Sequence, residues 1–181
     1  MRVIVITPPE PVVTWEEADA HLRLAGDEEQ KPYVESLIAA ATANVDGPAG
    51  WLGRALGVQV LEARFSLNVG GPFILPYPPV ASLVSAKYLD AAGNEQTAEN
   101  DDFELLGNEL VPAGSSWPWE GGSLRREAGR VQYRAGYESV PAPIKTAILL
   151  MVSELFHNRE LTAGDVAKVG EPLLQPYRIY S

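Results

Sequence analysis

The side chains that could do chemistry in this chain are few and scattered. It has two histidines, His21 and His157, and neither has a second ligand at metal-binding spacing. Glu17 stands four residues before His21 and Glu154 three before His157, so each pair can share a helix face, which reads as a solvated polar side. Ser115-Ser116 follows Gly114, but Trp117-Pro118 comes next in place of the strand-turn-helix setting of a serine nucleophile. Glu99, Asp101, Asp102 and Glu104 offer carboxylates for a hard cation, yet lack the spacing and glycine of a calcium loop, and read as a solvated turn. Gly121-Gly122-Ser123-Leu124-Arg125-Arg126 joins glycines to two arginines and could meet a phosphate or an acidic partner; an ordinary β loop accounts for it equally well. Trp117 and Trp119, on either side of Pro118, are either a lid over neighbouring strands or an aromatic anchor for a partner. These residues make no convincing active site, and no catalytic residue, cofactor or metal is expected.

Composition narrows the classes further. The 181 residues suit one domain with a real core, at 46% hydrophobic and 21% charged. The absence of cysteine removes disulfides, thiolate nucleophiles and thiolate metal sites together. A net charge of −10 repels a phosphate backbone at long range. No apolar run approaches a membrane span, and Pro8, Pro9 and Pro11 cut short the apolar leader. The reading is of a chain made in the cytoplasm.

The elements that must position these residues follow from periodicity. Residues 1–13 form an N-terminal arm, β-branched at Val3 to Ile6 and then proline-rich, able to add one strand. Thr14-Trp15-Glu16-Glu17 is a capping box that starts a short helix running to about Leu24. A second helix has Pro32 in its first turn and Val34, Leu37, Ile38, Ala41 and Val45 on one face, up to Asp46-Gly47-Pro48. From Val58 to Tyr137 the period becomes alternating. Val58, Val60, Ala63, Phe65 and Leu67 read as one strand, Gly107-Asn108 as a tight hairpin turn, and Val131, Tyr133 and Ala135 as one face of the last strand. The clearest helix begins near Pro143, with Ile144, Ala147, Ile148, Met151, Val152, Leu155 and Phe156 on its apolar side. His157 and Arg159 suit its C-terminal end, Glu160 opposes them, and Gly164 offers a stop.

The class expected is α+β: a small helical bundle of two N-terminal helices (14–57) and one long C-terminal helix (138–163), an inserted antiparallel β block (58–137), and an extended C-terminal tail (164–181), all one domain. Gly170, Pro172 and Pro176 are expected to prevent a sustained helix in the tail. Its Leu173, Leu174, Tyr177, Arg178, Ile179 and Tyr180 then need a host surface, either the parent domain or another protein. The long helix is expected to pack on the two N-terminal ones through Ile148, Met151 and Leu155.

The order of these signals resembles the head-tail connector (adaptor) family of tailed bacteriophages and phage-derived gene-transfer agents. The stretches that carry it include Thr14-Trp15-Glu16-Glu17-Ala18 with His21-Leu22-Arg23, Leu37-Ile38-Ala39-Ala40-Ala41, Gly53-Arg54-Ala55-Leu56 and Leu75-Pro76-Tyr77-Pro78-Pro79-Val80. They continue through Tyr88-Leu89-Asp90-Ala91-Ala92-Gly93-Asn94, Val131 to Tyr137, Val140 to Lys145, Asn158-Arg159-Glu160 and Leu173 to Arg178. The resemblance implies a structural subunit without catalysis, one of a ring, typically dodecameric, beneath the portal of a virion or phage-like particle. Such a ring extends the DNA channel, passes DNA without sequence-specific binding, and gives tail or stopper proteins a docking surface. A cyclic ring needs two different faces per subunit. Trp117, Trp119, Arg125 and Arg126 are then expected at inter-subunit contacts, and the C-terminal segment on a portal or ring neighbour. Two other readings stand beside it: a small-ligand or phosphate-binding enzyme domain built on Arg125, Arg126 and the acidic loop, and a monomeric peptide-binding module that uses a β edge.

Overall fold

A computed structural model of the chain describes residues 1–67, 72–158 and 163–180. The fold is α+β, and the chain forms two compact units, Met1–Pro9 with Val58–Gly136 and Glu10–Gly57 with Tyr137–Ser181.

In the β unit, strands β1 (Arg2–Thr7), β2 (Gln59–Phe65), β4 (Val80–Leu89), β5 (Glu95–Ala98) and β8 (Gly129–Ala135) make one antiparallel sheet in the order β1-β2-β8-β4-β5. The N-terminal arm therefore supplies an edge strand. Cross-strand register puts Leu61 opposite Tyr133 and Tyr133 opposite Leu83, then Ala63 opposite Val131 and Val131 opposite Ala86. Alternation sends all of these to one face, and Leu61, Ala63, Ala86, Val131 and Tyr133 are fully buried. The strand read at Val58 to Leu67 is β2; Val60 lies with Glu62 and Arg64 on the opposite side, because pairing with β8 fixes the register and Leu61 takes the inward position. Strands β3 (Phe73–Ile74), β6 (Phe103–Leu106) and β7 (Glu109–Pro112) form a second sheet, β3-β7-β6, and the β6–β7 turn is Gly107-Asn108 with Gly107 at φ +68°.

In the helical unit, α1 (Trp15–Leu22) opens with the expected capping box: the Glu17 carboxylate accepts from the Thr14 N–H at 3.0 Å and the Thr14 hydroxyl accepts from the Glu17 N–H at 3.3 Å. Helix α2 (Lys31–Ala43) buries Val34, Ile38 and Ala41. Helix α3 (Ala142–His157) starts at the prolines and fully buries Ile144, Ala147, Ile148, Met151 and Val152; Leu155 and Phe156 are only half-buried at the margin. Arg159 and Glu160 lie outside the described residues.

The tail departs most from expectation. In place of an extended segment it forms α4 (Ala163–Leu174) and a final 3-10 turn (Gln175–Tyr177), so Gly164 is inside a helix and stops none. Pro172 costs one backbone bond in the last turn, on the exposed side. Packing against α3 outweighs that cost, because Val166 and Leu174 enter the core and Gly170 brings the two helices close. A Cβ on Gly170 would stand 3.2 Å from Met151 Cε and 3.3 Å from Ala147 Cβ.

Candidate functional site

The two segments singled out by sequence are built very differently. The C-terminal one is a clasp. Val45 is buried at the end of α2, and Asp46, itself buried, turns its Oδ1 to accept the Leu56 N–H at 2.6 Å, while Gly47 N–H donates to the Arg54 carbonyl at 2.7 Å. These bonds pin the loop 46–56, from which Leu52 and Leu56 enter the core and Arg54 and Trp51 face the C-terminus. The Arg54 Nε–H donates to the Tyr177 carbonyl, and Ile179 N–H donates to the Leu52 carbonyl at 2.8 Å. Arg178 lies with its guanidinium carbon 5.0 Å from the Trp51 ring and 4.7 Å from the Tyr180 ring, where the ring faces attract its charge. Leu174 is fully buried, and Leu173 and Tyr177 pack on the core. Ile179 is half-buried; Tyr180 is 72% exposed, its hydroxyl bonded to Gln175 Oε1 at 3.1 Å. Of the two hosts weighed for this segment, the protein's own helical unit holds it.

The second segment is a lid with a charged tip. Trp117 and Trp119 stack at 4.7 Å with planes 12° apart, and Trp119 packs on Phe65 at 5.3 Å and on Phe103 at 5.4 Å. Trp119 is buried and Trp117 half-buried. Beyond them Ser123 N–H donates to the Leu89 carbonyl at 2.9 Å, and Leu124, Arg125 and Arg126 project outward, Leu124 being 88% exposed. Among the described residues no carboxylate pairs with Arg125 or Arg126. Trp117 also borders an open depression edged by Glu99, Asp101, Asp102 and Glu120. Glu99 and Asp102 cap one another across a 3-10 turn, as a solvated turn should.

The two histidines and the acidic loop stay apart from the partners that chemistry would need, among the described residues. Glu17, the candidate partner of His21, bonds Lys145 at 2.8 Å instead, and this hydrogen bond with that from Thr14 lowers its carboxyl pKa. His157 Nδ1 lies 3.0 Å from the Ser153 carbonyl, a local helix contact. Among the described residues no three His, Asp or Glu side chains gather as a metal site, and no helix is long and apolar enough to cross a membrane.

The full chain superimposes on components of gene transfer agent particles. No known family profile matches the sequence, and no curated protein does. Among solved structures, a chain in the neck of an empty gene transfer agent particle computed with C6 symmetry aligns with TM-score 0.74 and 21% identity, covering 100% of this chain and 97% of that one. A chain in the virion of a native gene transfer agent particle aligns at 0.70 and 21%, and one in the neck of a native particle computed with C12 symmetry at 0.69 and 18%, both with the same coverage. The chain shares their fold.

Sequence reasoning placed Asp46 at a helix end and Arg54 in a stretch carrying the resemblance, but gave neither of them, nor Glu62, a bonding role. Glu62 is a buried carboxylate mid-strand that takes Arg64 Nε–H at 2.6 Å and Gln132 Nε2–H at 2.8 Å. Burial pushes its pKa up, but the Gln132 bond and the Arg64 bond and charge outweigh that and leave it lowered. The signal available was the acid set between Leu61 and Ala63 in a strand-like stretch, with Arg64 two residues on, since a carboxylate held there has to be paired to be tolerated.

Proposed function

We propose that this protein is a structural neck subunit of a phage-like particle, an adaptor that forms a ring at the head-tail junction beneath the portal. The observation that carries this reading is the end-to-end match of its fold to chains of gene transfer agent necks and virions, one of those necks computed with twelve-fold symmetry. A dodecamer is the ring size it favours. The acidic balance suits a conduit, since a net charge of −10 on each subunit does not hold the phosphates of passing DNA. The exposed arginine tip, Arg125 and Arg126, and the exposed end of the C-terminal clasp at Tyr180 are the surfaces offered to ring neighbours, portal or tail proteins. In the organism that makes it, deleting its gene should leave heads and tails that form but fail to join, seen by electron microscopy. Intact infectious or transducing particles in its absence would refute the reading.

A further inference from the structure

The sheet of the β unit has two unfinished edges on opposite sides. Among the described residues no strand lies beyond β1, and β5 covers β4 only from Ala86 to Leu89, so the first half of β4 is open over residues 80–85. Each open stretch is six residues long, RVIVIT and VASLVS; Arg2 at the start of the first is their single charge, and neither holds a lysine or a proline. Each also exposes aliphatic side chains, Val5 at 40%, Ile6 at 45% and Val84 at 45%. Monomeric proteins ordinarily protect such edges with charge or cover, because bare ones recruit another strand. The rest of the β4 side is covered by β5, which is short and carries the exposed residues Glu95, Gln96 and Thr97.

We propose that successive copies join through these edges, β1 of one copy adding antiparallel to residues 80–85 of the next. This rests on the ring reading above and names the contact that builds the ring. Strand sense allows it. Each neighbouring pair among β1, β2, β8 and β4 is antiparallel, so β1 runs opposite to β4. A second copy placed beside the first in the same orientation therefore presents its β1 antiparallel to β4, the sense required. The two edges are different surfaces, so the contact is head-to-tail and propagates, as a ring demands, rather than closing as a two-fold dimer. Closure also needs the sheet to turn at each junction. Register shifts between Val80 and Ser82 and between Leu83 and Ser85 place bulges along the open half of β4, and bulges bend a strand and increase its twist.

The chain has no cysteine, so Val5→Cys and Val84→Cys place unique thiols on the two edges. Full-length protein at assembling concentration is treated with a short bis-maleimide. The double variant should give a ladder of covalent oligomers, a mixture of the two single variants should stop at dimers, and each single variant alone should stay monomeric on a denaturing gel. Val84→Lys, at an exposed position, should keep the parent's circular dichroism and weaken assembly about tenfold. Rings that form without the ladder, or with Val84→Lys at full strength, overturn the edge contact and leave the ring reading standing. Dimers from Val5→Cys alone overturn it in favour of a symmetric β1–β1 pair. No oligomer at any concentration, alone or with a portal ring added, overturns the contact and the ring together.

Discussion

The C-terminal clasp and the Trp117–Arg126 loop are both aromatic, arginine-bearing segments rich in glycine and proline, and the protein uses them in opposite ways. In the clasp, Leu174 is buried, Arg54 bonds a carbonyl and Arg178 lies over Trp51, with Tyr180 alone of its aromatic rings left largely exposed. In the loop only the aromatic base turns inward, and Leu124, Arg125 and Arg126 are left in water. Apolar content alone therefore does not say whether a segment serves its own core or a partner. What decides is whether the rest of the unit offers a complementary surface. Helix α3 offers Ala147 and Met151 to Gly170, whereas beyond Ser123 the loop stays exposed at Leu124, Arg125 and Arg126.

The sharpest way to break this contrast is to remove the clasp. Deleting residues 163–181 takes Val166 and Leu174 from the core and bares α3, for a loss above about 5 kcal/mol at roughly 2–5 kcal/mol per large buried side chain. Cooperative unfolding of the helical unit should vanish in calorimetry; an unchanged melting curve would mean the clasp is a docking arm after all. Truncating the base of the loop comes next. Trp119→Ala should cost about 3–5 kcal/mol in chemical denaturation, because it leaves a cavity between Phe65 and Phe103. A loss under about 1 kcal/mol would make the tryptophans a partner's anchor rather than a lid.

A smaller effect sharpens the account of the sheet. The Glu62 carboxyl has a lowered native pKa, so it contributes stability that is complete well above the ordinary glutamate value of about 4.5 and is lost as pH falls through the lower native value. Glu62→Gln should cost about 1–3 kcal/mol at neutral pH and flatten the fall in stability below about pH 4.5. An acid limb as steep as the parent's would assign it to other carboxylates, Glu17 foremost. Smallest for the fold is the loop tip. Replacing Arg125 and Arg126 together by Glu should change stability by no more than about 0.5 kcal/mol while weakening assembly or docking, measured by sedimentation. Unimpaired assembly would return this tip to an ordinary surface loop.

Where local signals and tertiary contacts agree, the sequence was legible. The Thr14–Glu17 capping box, the proline-marked start of α3, the Gly107-Asn108 turn and the inward face of β8 each depend on neighbours in the chain, and each formed as read. The tail was misread because Gly170 and Pro172 count against a helix in isolation, while the gain from closing on α3 is non-local. Its periodicity, Val166, Gly170, Leu173-Leu174 and Tyr177, was nevertheless present. The inward face of β2 was not legible for a related reason, since an alternation broken at Leu61-Glu62-Ala63 is settled by its partner strands. Asp46 and Arg54 act only through chain segments distant in sequence or across a turn, and no spacing rule reveals them.

The central claim is that copies of this chain close into a ring, and mass together with symmetry tests it most directly. Purified full-length protein, concentrated alone and with a portal ring, should give rotationally symmetric particles in electron micrographs, twelve-fold by preference, with a light-scattering mass near twelve times the 19.6 kDa chain. A single species at 19.6 kDa under both conditions, with nothing added to the portal, would contradict it.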